Sequence, residues 1–150
     1  MIATRIRVSV LLLTALLGMG ACGQGDPPPP PPPPPGAIHG ITEGVTPEQD
    51  TAASYAFVDL ARRVREHFDG PWDADYYRLP VGTTWDSVVA HYAGALGEGW
   101  TEDTRYAPDA GPGYRSKLWH DGDFLTAVAL LDDLPPSTTP IIIVLVSEED

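Results

Sequence analysis

Nine prolines stand in a row from Pro27 to Pro35, and no other feature limits the fold of this 150-residue chain so sharply. Proline fixes φ near −65° and has no backbone N–H, so such a run enters neither a helix interior nor a central strand. It adopts the stiff polyproline helix, which rises about 3.1 Å per residue and makes a rod of roughly 28 Å here. The run divides the chain. An apolar stretch and a cysteine precede it. Gly36 to Gly44 reads as a looser linker, in which His39 is expected to be solvated. Thr46 to Asp150 remains for a folded body, enough for one domain with a modest core.

Arg5 and Arg7 give the N-terminus a basic start, and Val8 to Leu17 is apolar apart from Ser9 and Thr14. This is the layout of a secretory signal peptide, too short for an ordinary transmembrane helix. The sequence Leu17-Gly18-Met19-Gly20-Ala21-Cys22 resembles the lipobox of bacterial lipoproteins, with Gly20 and Ala21 at its small positions and Met19 where Leu is usual. The resemblance implies cleavage before Cys22 and diacylglyceryl transfer to its sulfur. It divides the chain into a signal peptide (1–21), a lipidated cysteine with a proline-rich linker (22–45) and a body (46–150). The place implied is the cell envelope, on the extracytoplasmic face of a membrane. If the host has an outer membrane, that one is favoured, because Gly23 stands where an inner-membrane retention signal would place Asp. Behind a lipid anchor the proline rod reads as a spacer that holds the body off the membrane. A proline run also serves as a ligand for proline-recognition modules. Cys22 is the only cysteine, so the body must cohere without a disulfide.

Loss of Arg5 and Arg7 takes the formal charge from −12 to −14. Such a surface repels nucleic acid and anionic headgroups, so no nucleic-acid partner is expected and membrane attraction must come from the lipid. There is no asparagine, hence no N-glycosylation site.

Thr46 is the expected N-cap of a first helix. Pro47 sits at its first position, and Glu48 and Asp50 lie at the positive end of the dipole. Ala53, Phe57, Leu60, Ala61, Val64 and Phe68 follow at helical spacing, and Gly70-Pro71 stops it. Asp75 to Val81 reads as a strand with Pro80 near its end. Thr84 to Leu96 reads as a second helix ending at Gly97, with Thr83 and Asp86 spaced as a capping box. Strands are expected from Trp100 to Tyr106, Tyr114 to His120 and Phe124 to Leu131, the last two joined by a hairpin at Asp121-Gly122. Asp132 to Thr139, with Pro135-Pro136, reads as a loop. Ile141 to Val146 is apolar without alternation, as in a central strand covered on both faces or nearly so. The pattern predicts an α+β fold: two helices on one face of a mostly antiparallel sheet of four to five strands. The passage from Thr84 to Trp100 resembles small envelope lipoproteins of unassigned role.

Chemistry-bearing constellations are sparse. Ser87 and His91 share a helix face, but no strained Gly-x-Ser-x-Gly turn presents the hydroxyl, and no catalytic role is expected for either. Asp73 with Asp75, or Asp121 with Asp123, offers oxygen ligands, yet neither run continues as a calcium loop. His67, His91 and His120 lack the spacing of a zinc site. No cofactor and no metal site are expected. The enriched set is aromatic: Trp72, Tyr76, Tyr77, Trp85, Trp100, Tyr114 and Trp119. Trp85 and Trp100 are assigned to the core. Trp72, Tyr76 and Trp119 are the expected binding residues, since rigid aromatic anchors with a polar rim suit protein recognition. The reading is a non-enzymatic, lipid-anchored envelope protein with a protein partner. An immunity or inhibitor lipoprotein that neutralises a toxin is the alternative, and a hydrolase of wall or lipid substrates stands third.

Overall fold

The computed structural model describes residues 28–41, 43–66, 68, 71–103, 113–132 and 139–147. The signal segment, Cys22, His67, Gly70, Tyr106, Pro135-Pro136 and the last three residues lie outside these.

The fold is α+β, built on one open antiparallel sheet. Strands β1 (Ile38–His39), β2 (Trp72–Arg78), β3 (Thr101–Glu102), β4 (Arg115–Asp121), β5 (Phe124–Leu131) and β6 (Ile141–Ser147) lie in the order β1-β2-β6-β5-β4-β3. Six strands replace the expected four to five. The additional one is β1, from the stretch read as a linker: Ile38 pairs with Arg78 and His39 with Tyr77. The body therefore starts before residue 46. Both edge strands are two residues long, shorter than the seven-residue strands β2 and β4 that they border.

Helix α1 (Pro47–Arg65) begins as the sequence predicts. Gln49 N–H donates to the Thr46 hydroxyl, and the Gln49 side chain accepts from Thr46 N–H. Helix α2 (Trp85–Leu96) is capped one residue later than predicted, by Thr84 and Ser87 in the same reciprocal arrangement.

The helices lie on opposite faces of the sheet, not on one. Ala53, Ala56, Leu60, Ala61 and Val64 of α1 pack on Leu118, Leu125, Ala127, Ala129, Ile141, Ile143 and Leu145. Val88 and Tyr92 of α2 pack on Trp119, Val128, Leu130, Ile142 and Val144. Odd positions of β6 face α1 and even positions face α2, because successive strand side chains alternate. A strand apolar on both faces needs two covers.

The register also separates two ends of the body. Asp121-Gly122-Asp123, Ser147 and Trp72 share the near end, where Phe68, just past α1, touches His120. Gly122 has φ +58°, as the first position of a tight primed hairpin turn requires. Arg115, Leu131, Ile141, Arg78 and the N-termini of both helices share the far end; there the Gln49 amide donates to Thr139 O.

Asp59 ties α1 to the start of β4. Its carboxylate accepts from Tyr114 Oη, from Arg62 at 2.6 Å and from Arg63 at 2.8 Å. Burial pushes its pKa up, but these three donors outweigh burial and hold it below the ordinary 3.8. The stability it supplies is present above the unfolded-state pKa and is lost as pH falls through the lower native one. Asp59→Asn is expected to cost about 1–2 kcal/mol at pH 7 in urea unfolding, with the difference closing as the pH falls below the ordinary carboxylate range.

In the same assay Ile143→Ala, wholly buried on the central strand, is expected to cost about 2–5 kcal/mol. Trp85, assigned to the core, is only partly buried at the far end of α2, so Trp85→Ala costs less than Ile143→Ala.

Candidate functional site

The three expected binding residues do not converge. Trp72 and Tyr76 lie four positions apart on the same face of β2 and lean on the α1 side. The Arg65 guanidinium stands 5.5 Å over the Trp72 ring, and Phe57 lies 6.1 Å from Tyr76. Both remain partly exposed. Trp119 is on the opposite face, 5% exposed, in the α2 core beside Tyr92. It is a core residue, not a surface anchor: the strand side that would be wet in a one-sided sheet is here roofed by α2.

Ser87 serves the α2 cap, where its hydroxyl donates to Thr84 O at 2.7 Å. His91 reaches away from it, to Pro32 O at 2.8 Å. Asp121 and Asp123 bracket the hairpin tip, and Asp75 belongs to a different cluster, described below. Among the described residues no three His, Cys, Asp or Glu side chains are grouped to hold a metal ion.

The feature that organises the α2 face is the proline run. From Pro28 it follows the sheet beside α2. Pro28 to Pro31 form one wall of a small cleft at the near end, with Trp100, Phe124, Thr126, Val146 and Ser147 lining the rest. Pro32 O accepts from His91 at mid-helix, and Pro34 is buried. Pro34 O then accepts from Ala37 N–H, closing a turn in which Gly36 takes φ +76°. A side chain on Gly36 would meet Pro80 at 2.9 Å, so both the turn and the close approach require glycine. The chain next enters β1, and Gly40 N–H donates to Tyr76 O at 2.7 Å. The described prolines thus form a strap on the body and do not stand off it as a free rod. Their length suits the place, since a seven-residue strand spans about 24 Å. Trp100, assigned to the core, is half of the aromatic bed under this strap.

Where the strap turns into β1, His39 is not simply solvated. Its Nε2 lies 2.9 Å from Asp75 Oδ1, and Tyr77 Oη donates to Asp75 Oδ2 at 3.3 Å. The His39 and Tyr77 rings meet edge to face at 5.3 Å. Burial, with Asp75 adding to it, pushes the Tyr77 hydroxyl pKa up. Burial drives that of Tyr92, on the sheet-facing side of α2, higher still. Sequence spacing gave no sign of this cluster, because its members come from β1 and β2, 36 positions apart.

At the far end an open cleft of about 390 Å³ is lined by Gly82, Thr83, Thr84, Trp85, Asp86, Arg115, Asp132 and Pro140. Arg115 is held there by Asp132.

No protein-family model matches the chain, and no curated protein or solved structure proves significantly similar to it.

The contacts of the strap and β1 carry a stability expectation. Residues 28–150 should unfold at higher urea than residues 46–150, by about 1–3 kcal/mol, from the hydrogen bonds at Gly40 and Pro32 and the β1 ladder. Equal stability of the two fragments would mean that the strap contributes nothing to the body.

Proposed function

We propose that this protein is a lipid-anchored envelope protein with a non-enzymatic body that binds a protein partner. The observation that carries the reading is Gly20-Ala21-Cys22 at the end of a short apolar stretch with a basic start. A body without a disulfide fits it, since lipidation uses the only thiol. Among the described residues no helix is long and apolar enough to cross a membrane. Attachment then falls to the acyl chains, because a −14 surface is repelled by anionic lipid.

For binding, the body offers two kinds of surface. One is the partly exposed Trp72–Tyr76 side of β2. The other is the far-end cleft, with Trp85 beside the paired charges of Arg115 and Asp132. A toxin-neutralising role is a second form of the same reading, favoured by the acidic surface, which suits a basic partner.

Detergent phase separation and intact mass of the purified protein test the anchor. The native chain is expected in the detergent phase with diacylglyceryl mass on Cys22, and Cys22→Ser in the aqueous phase or uncleaved. Unchanged processing and retention of Cys22→Ser would sink the reading.

A further inference from the structure

We infer that the docked strap turns the lipid tether into an oriented mount, with the hairpin end of the body held toward the membrane and the far-end cleft directed away from it. The inference rests on the lipid anchor proposed above and adds the lipid surface that one end of the body must meet.

The argument starts from chain length. A free linker from Cys22 to residue 45 would have 24 residues. At about 3.5 Å each, it would let the body stand anywhere within roughly 80 Å of the bilayer and turn freely. The structure removes most of that reach. Pro28 already shares the walls of one small cleft with Trp100, Phe124 and Ser147, so the linker runs beside the body from its first described residue. Cys22 to Pro27 remain, and six residues extend no more than about 20 Å.

Direction follows from where the strap is fastened. Pro28 is at the near end, His91 holds Pro32 midway, and the turn at Gly36 with β1 fixes the other limit. The tether therefore leaves from the hairpin end. The far-end cleft is one strand length further on, about 24 Å.

Charge decides how that end meets the lipid. Glu66, Asp73, Glu98, Asp121 and Asp123 are exposed toward the near end, and the chain continues past Ser147 with Glu148, Glu149 and Asp150. Arg65 stands among them as a cation. An anionic leaflet repels such a surface within about a Debye length, so this end faces the headgroups without resting on them. The body stands at the end of its short tether with Trp85, Arg115 and Asp132 presented to soluble or wall-bound partners.

Energy transfer tests the mount. With Cys22 acylated no free thiol remains, so single reporter cysteines can be placed by Asp123→Cys at the near end and Val81→Cys at the far end. Each lipidated protein, labelled with a donor dye, is reconstituted in vesicles of phosphatidylethanolamine and phosphatidylglycerol carrying an acceptor-labelled lipid. The expected result is transfer at least two-fold stronger from position 123 than from 81. Replacing Pro28 to Pro33 by Gly and Ser should weaken transfer from 123 and erase the difference, while the protein still floats with the vesicles. His91→Phe, a gentler change that removes only the bond to Pro32, should fall between. Equal transfer from both positions in the native chain, with flotation intact, overturns the mount and leaves the anchor standing. Failure of the lipidated native chain to float overturns the anchor, and the orientation with it.

Discussion

The structure depends on one constraint: strand β6 is apolar on both faces and must be covered on both. Ile141, Ile143 and Leu145 face α1, while Ile142 and Val144 face α2. A strand with one wet side would alternate apolar and polar residues; this one does not. Two layers of helix follow from that pattern, and so does the burial of Trp119. The strand also sits between β2 and β5, so it joins the two halves of the sheet. Its pairing with β2 joins residues distant in sequence, such as Trp72 with Ser147. Non-local closure of this kind is slow and cooperative.

One helix does not roof a whole sheet face. On its side α2 covers Val128, Leu130, Ile142 and Val144, and the proline strap covers Val146 and Thr126 beside it. A polyproline strand suits this position. It has no N–H groups to satisfy, so it can lie on an apolar surface without joining the ladder, and its fixed φ means that docking costs little backbone entropy. On the lipid anchor proposed above, the same segment would link that anchor to the fold. A rod that would hold the body away is, where it docks, a part of the body.

Several features were legible locally. Thr46, Pro47 and the acidic first turn mark the start of α1 because capping is chemistry between neighbours. Phe124 to Leu131 and the Asp121-Gly122 turn mark a hairpin for the same reason. The limits of α2 were readable to within a residue, although its cap uses Thr84 and Ser87 in place of Thr83 and Asp86. The helix stripe named Ala53, Leu60, Ala61 and Val64 correctly as core, since a 3.6-residue period points at whatever the helix packs on.

What the sequence determined by itself is therefore both helices and every strand but β1, their order, the α+β class and the acidic, disulfide-free character of the body, all of which rest on composition or on contacts within a few residues. Tertiary structure alone decided the side each element takes. Periodicity says that a face is apolar but not which partner meets it, so alternation alone leaves Trp119 on a surface, and α2 buries it. Proline spacing predicts a polyproline helix but not a bed for it; Trp100, Phe124, Val146 and His91 form that bed only when β5, β6, α2 and the segment leading into β3 are assembled. His39 and Asp75 carry no mutual signal across 36 positions, and they meet because a two-residue edge strand pairs with β2.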